Sequence, residues 1–208
     1  MPHVKRVKYT YKSSLSAGFM TLVGVVACGP STPAASAPKD ISASSIDGPG
    51  GTALVSACTP TGPELCFNAI DDNCNGVIDE GCGVCTGPLQ FVIAWGDSKA
   101  NVDIAVTEPS KVIVDEKNPS SNSALRFDHP CPGEGAQSCY GQNVENICSE
   151  NTDPPKGLYT MTVKLTALAG APVPVLVRCG ARVGSRSYGA DIELSKEGES
   201  KSCFAIKL

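Results

Sequence analysis

From residue 87 onward, apolar side chains recur at every second position, segment after segment, and this alternation sets the fold class. Phe91, Ile93 and Trp95 share one face, as do Val102, Ile104 and Val106, and then Val112 and Val114. After a long polar, cysteine-bearing loop, Tyr159, Met161, Val163 and Leu165 alternate with Thr160, Thr162 and Lys164. Val173, Val175, Val177 and Cys179 follow, then Tyr188, Ala190, Ile192 and Leu194, and finally Phe204, Ile206 and Leu208. Side chains of a strand point alternately to its two faces, so a period of two with one apolar face describes a half-buried strand. No stretch carries a 3.6-residue period. Seven to eight short strands separated by Gly and Pro predict a mainly β chain with an antiparallel β-sandwich over residues 87–208. Trp95, in phase with Phe91 and Ile93, belongs to its core.

The first 27 residues have a different character. Lys5, Arg6, Lys8 and Lys12 form a positive head, and no acidic residue precedes Asp40. The apolar run over residues 15–27 is too short and too glycine-interrupted to span a bilayer, but it suits the core of an export signal. It ends in Val25-Val26-Ala27-Cys28, which resembles the lipobox of bacterial lipoproteins. The resemblance implies cleavage of a signal peptide, residues 1–27, and lipidation of Cys28, with diacylglycerol on its thiol and palmitate among the acyl chains. Gly29 in place of Asp implies the outer membrane rather than the inner one. An ordinary secretory signal cut near residues 34–37 is the alternative.

Cysteine usage points to export independently. With Cys28 set aside, ten of the eleven cysteines remain: Cys58, Cys66, Cys74, Cys82, Cys85, Cys131, Cys139, Cys148, Cys179 and Cys203. An even count in an exported chain reads as a disulfide framework. Five lie on each side of residue 100, so full pairing requires at least one bridge between the two regions. Cys179 and Cys203, both on late strands, are expected to pair within the sandwich. The rival is zinc at Cys82-Gly83-Val84-Cys85, but no second such pair follows and the only histidine after Cys28 is His129.

Between signal and sandwich lie two short regions. Residues 28–57 are rich in Ser, Ala, Pro and Gly and read as a disordered tether, because such a composition buries too little apolar surface to offset its ordering entropy. Residues 58–86 are dense in Cys, Asp and Asn. Loss of the four basic residues of the signal leaves 13 basic against 21 acidic residues, a net charge of −8. That balance disfavours nucleic acid, which needs basic patches, and suits divalent cations.

The acidic region carries the most chemistry. Asp71, Asn73 and Asn75 stand at positions one, three and five of a calcium-type loop, Gly76 supplies the turn, Val77 offers a backbone carbonyl and Asp79 follows. Oxygen donors at alternate positions before a Gly turn wrap a chain around a hard cation. Position twelve is Cys82 rather than a bidentate Glu, with Glu80 as the candidate substitute, so Ca²⁺ binding is expected to be weak, about 10⁻⁴–10⁻³ M. The alternative is a disulfide knot whose Asp and Asn side chains cap their own backbone. Residues 64–82 resemble the MopE-like metal-binding motif of exported bacterial proteins, with its Cys, its acidic Asn/Asp run around a second Cys, Gly, an apolar pair and Asp-Glu-Gly. Asn73 and Asn75 stand where that family often has Asp, which lowers the charge.

The sandwich resembles YfaP-type bacterial domains over residues 89–180. The likeness rests on Ala94-Trp95-Gly96-Asp97, on residues 101–106 with Pro109, on residues 125–128 and 143–146, and on residues 157–163; the stretch from Cys131 to Cys148 is not part of it. Asp97, Asp103, Asp128 and Glu145 lie in these segments, as turn caps and solvated loop acids or as a second cation cluster.

No catalytic set is present: there is no G-x-S-x-G, H-E-x-x-H or phosphate loop, and the lone His129 builds no triad. His129 reads as a loop residue capped by Asp128. The chain therefore reads as a non-enzymatic, calcium- and disulfide-stabilised binding or structural module at the cell envelope. Its expected partners are the membrane, through the lipid on Cys28, and an envelope or extracellular protein or glycan. A metal-handling lipoprotein using residues 64–82 and an envelope hydrolase are the competing readings.

Overall fold

The period-two segments fold as antiparallel strands. In a computed structural model, residues 40–56, 58–96, 99–131, 139 and 141–208 are described. Among them are ten strands: β1 (Ser45–Asp47), β2 (Leu89–Trp95), β3 (Asn101–Thr107), β4 (Ile113–Val114), β5 (Arg126–Asp128), β6 (Val144–Ser149), β7 (Leu158–Ala167), β8 (Val175–Val183), β9 (Arg186–Leu194) and β10 (Ser200–Lys207). They form two five-stranded sheets, ordered β1-β10-β7-β3-β4 and β5-β6-β2-β8-β9.

The inner faces meet as the alternation requires. Tyr159, Met161, Val163 and Leu165 of β7 are buried against Phe91 and Ile93 of β2 and Val177 and Ala181 of β8 in a single core. The Tyr159 hydroxyl, at the edge of that core, donates to Pro155 O at 2.9 Å. On β10 the register slips between Ser202 and Phe204, and Cys203 and Phe204 are both buried in consequence. Cys203 thereby reaches Cys179 on β8, and this disulfide joins the two sheets through the core. Trp95 lies in the core as expected, its indole N–H donating to Ala100 O at 2.9 Å.

Three strands depart from the sequence reading. β6 runs through the stretch taken as polar loop, and every one of its residues is buried. Its polar side chains are tolerated because they are bonded. Glu145 accepts from Ile104 N at 2.8 Å and from Cys131 N at 3.3 Å, and Asn146 donates to Cys85 O at 2.8 Å. β5 pairs with it at the sheet edge. β1 lies within the expected tether. Ile41 and Ile46 enter the core and Ser45–Asp47 pair with β10, so residues 40–56 belong to the sandwich. Two isoleucines anchor a segment whose average composition is that of a linker. Residues 1–39, with the expected signal segment and Cys28, lie outside the described residues. Val112 and Val173, read as strand residues, are half exposed just ahead of β4 and β8.

Candidate functional site

Residues 58–86 form neither strand nor helix, and cross-links hold them. Cys58–Cys74 and Cys66–Cys82 are interleaved, each closing a span of 16 residues. Closing loops of this length removes on the order of 3 kcal/mol of unfolded-chain entropy apiece. Cys85–Cys148 then ties the region to β6, supplying the bridge between the two halves that the five-and-five split demands. Phe67, Ala69, Cys74 and Asp79 all have positive φ, from 52° to 66°. Left-handed backbone costs an L-residue roughly 1–2 kcal/mol, so four such residues stand only where other contacts over-determine them.

Those contacts are of two kinds. The first is packing. Ala69, Ile78 and Val84, with Phe67 beside them, cover Val92 and Ala94 of β2 and Val144 of β6. The acidic region is thus a third layer on the outer face of one sheet, which is why all seven residues of β2 are buried. At Gly180 on β8 the fit is so close that a Cβ would stand 2.6 Å from Ala69 O. At Gly76 a Cβ would lie 2.3 Å from Ser185 O, and φ is +86°. Beneath the layer, Gln90 Nε2 donates to Ile78 O at 3.2 Å, and Asp128 Oδ2 accepts from Cys85 N at 2.6 Å.

The second kind is capping by carboxylates and amides. Asp71 Oδ1 accepts from Asn75 N at 3.0 Å, and its Oδ2 accepts from Gly76 N at 2.9 Å and from the Ser187 hydroxyl on β9 at 2.8 Å. Asn73 Oδ1 accepts from Asn75 N at 3.0 Å, and Asn75 Oδ1 from Val77 N at 2.8 Å. Their Nδ2 groups turn the other way, both donating to Glu80 Oε1 at 2.5 Å. Asp79, fully buried, accepts from Asn68 N and Ala69 N at 3.2 Å each. Asp72 accepts from the Thr61 hydroxyl, Leu65 N and Asn68 Nδ2.

Of the expected calcium ligands, Asp71, Asn73 and Asn75 are brought together around one loop. Asp79 is turned to the 68–69 backbone instead. Two further residues are central: Glu64, which loop-position reasoning passed over, and Glu80, the substitute it offered for position twelve. Glu64 clasps the knot by accepting from Asp79 N at 2.8 Å and Asp72 N at 3.1 Å, and Glu80 sits between the two asparagines. Burial, with the Glu80 charge adding to it, pushes the Glu64 carboxyl up to about 7 against the pull of its backbone donors. Burial also disfavours charge on Glu80, yet the amide donors of Asn73 and Asn75 outweigh it and hold that carboxyl below its ordinary value. Glu80 Oε2 is buried with no hydrogen-bond partner.

The other acids are caps. Asp103 accepts from the Thr166 hydroxyl, Glu145 holds two backbone N–H groups, and Asp128 holds Cys85 N; Asp97 lies outside the described residues. With Asp128 engaged at Cys85, His129 stacks on Phe67 with ring centroids 5.5 Å apart. Where the third layer ends, an open cleft of about 530 Å³ lies between it and the sheet, with Phe67, Trp95, Leu176 and Val177 along it and Arg178 and Asp191 at its polar rim. Arg178 Nη1 donates to both Asp191 oxygens, at 2.9 and 2.8 Å. Among the described residues no three His, Cys, Asp or Glu side chains are grouped as metal ligands.

No known family, curated protein or solved structure matches the chain.

Proposed function

We propose that this chain is an exported, lipid-anchored binding module of the cell envelope, in which the acidic knot is a structural cap and the cleft beside it faces a partner protein or glycan. The observation that carries the reading is the cysteine pairing. Ten cysteines join in five disulfides, and the eleventh, Cys28, which lies outside the described residues, ends a lipobox-like sequence. Pairing of these ten suits an oxidising compartment, and a further cysteine after an apolar run suits acylation. The pairing also argues against soft-metal handling by residues 58–208, because none of those ten thiols is left to ligate. The cleft has the size and mainly apolar lining of a ligand site, with a few polar groups at its rim.

The test has two parts. Alkylation and mass analysis of protein taken from the envelope should find no free thiol. Labelled palmitate should mark the wild type and not Cys28→Ser. Equal labelling of the variant, or two or more free thiols, refutes the reading.

A second reading, weak Ca²⁺ binding by the acidic loop, is favoured by the Glu64 and Glu80 carboxyls, which face one another beside Asn73 and Asn75. Asp71, Asn73, Asn75, Asp79 and the Val77 carbonyl are the expected donors, with Glu80 added to them. Titration calorimetry of the oxidised protein at millimolar Ca²⁺ should give heat that Asp71→Ala loses. A flat wild-type titration leaves the self-capped knot as the whole role of the loop.

A further inference from the structure

Asn75-Gly76 is the only Asn-Gly pair in the chain. In such a pair the glycine nitrogen can attack the asparagine side-chain carbon, because no β-carbon shields it. Here the loop surrounds both partners with groups suited to that reaction. The Gly76 N–H donates to Asp71 Oδ2 at 2.9 Å, which places a carboxylate on the proton of the attacking nitrogen. The Val77 N–H donates to Asn75 Oδ1 at 2.8 Å, on the atom where negative charge develops. The amide nitrogen that would leave, Asn75 Nδ2, is held by Glu80 Oε1. Asn75 itself is exposed, so water reaches it, while Asp71 is 4% exposed and fixed by three donors. The Cys58–Cys74 bridge closes the segment that holds Asp71.

We propose that Asn75 is a self-processing deamidation site, at which the loop converts its own side-chain amide into a carboxylate. Asp71 Oδ2 takes the Gly76 N–H proton as the nitrogen bonds to Asn75 Cγ, giving a tetrahedral centre whose oxyanion lies against Val77 N–H. The Cγ–Nδ2 bond then breaks. The departing nitrogen takes a proton from water and leaves as ammonia, and Asp71 returns its own proton to water. Water adds to the resulting cyclic imide and opens it to aspartate or isoaspartate. No oxidant or cofactor enters. The product sets a carboxylate against Glu80 where an amide donor stood. The covalent step is independent of the calcium reading.

The test uses the mature protein with its disulfides intact, incubated at neutral pH in heavy-oxygen water, with peptide mapping to follow label uptake at Asn75. The same protein, reduced and denatured, is the reference. The native rate should exceed the denatured rate by about tenfold or more, within what a positioned base supplies. Asp71→Asn should lower the native rate by a similar factor and leave the denatured rate unchanged. A native rate at or below the denatured one overturns the proposal, as does an unslowed, correctly bridged Asp71→Asn. Should Asp71→Asn fail to form its disulfides, Ser187→Ala decides. Removing the hydroxyl that competes for Asp71 Oδ2 should speed the native reaction, and an unchanged or slower rate overturns it.

Discussion

Adding one methyl group at Gly180 tests the seating of the acidic layer. The new Cβ would stand 2.6 Å from Ala69 O and 3.1 Å from Ile78 Cδ1. The first of these is backbone, inside the loop closed by Cys66–Cys82, so it cannot swing aside as a side chain would. Relief requires the layer to lift off β8 by several tenths of an ångström, loosening Ile78 from Val92 and Val144. Overpacking of this kind costs about 1–3 kcal/mol. For a domain of this size each kcal/mol moves Tm by roughly 2–4 °C, so Gly180→Ala should melt about 2–12 °C below wild type. Gly189→Ala is the matched control. Its Cβ would meet Arg178 Nη2 at 2.7 Å, the far end of a flexible side chain paired to the exposed Asp191, and should cost less than about 1 kcal/mol. Scanning calorimetry of both oxidised variants separates the two. If Gly180→Ala melts with wild type and the control, residues 58–86 do not rest on the sheet and the three-layer description is wrong.

Two other perturbations probe the buried polar groups of β6. Glu145 is pushed well above the usual carboxylate range by burial, with the Asp103 and Glu116 charges adding to it against the pull of the Ile104 and Cys131 N–H groups. The folded state therefore binds this proton more tightly than the unfolded chain, whose ordinary value is 4.5. This contribution to stability is full below that value and is lost as pH rises through the raised one. Denaturant melts across that window should fall more steeply with pH for wild type than for Glu145→Gln, and equal slopes would assign the dependence to other groups. Asn146→Ala should cost about 1–3 kcal/mol by leaving Cys85 O with only the long contact from Gln90 Nε2, seen as a lower urea midpoint at unchanged slope. An unchanged midpoint would show that the Asn146 amide does not hold the layer down.

What was legible in the sequence follows from which face of each strand had to be apolar. β3 and β7 have one buried and one solvated face, and their alternation is plain to read. β8, β9 and β10 follow the same rule less strictly. β2 was legible too, but Val92 and Ala94 on its second face carried a message that the period-two pattern did not use. A strand apolar on both faces needs a cover on both, and residues 58–86 are that cover. β6 shows the opposite difficulty. Its Glu145, Asn146 and Ser149 read as loop because burying them unpaired would cost several kcal/mol, and only the folded chain brings Ile104 N, Cys131 N and Cys85 O into reach. β1 escaped because two isoleucines are diluted by a linker-like composition, although each covers core surface as any strand residue does. The pairing of Cys179 with Cys203 was readable from strand order alone.

The acidic loop separates position from partnership. Alternate Asp and Asn residues before a glycine mark oxygens that converge, and Asp71, Asn73 and Asn75 do converge. Which oxygens stay free depends on residues distant in the chain. Ser187 arrives from β9, and Glu64 is brought opposite Asp79 by the Cys66–Cys82 bridge. In a loop of such side chains the amides decide the sign of what sits at the centre. Each Asn here gives its oxygen to a backbone N–H two residues on, so its NH₂ group must point inward, and inward lies Glu80. A cation at that centre requires both amides to turn over and give up two backbone hydrogen bonds, each contributing about 0.5–1.5 kcal/mol net. A carboxylate at Asn75 would lose nothing by facing a cation. The amide at Asn75 is therefore the residue on which the charge state of the loop turns.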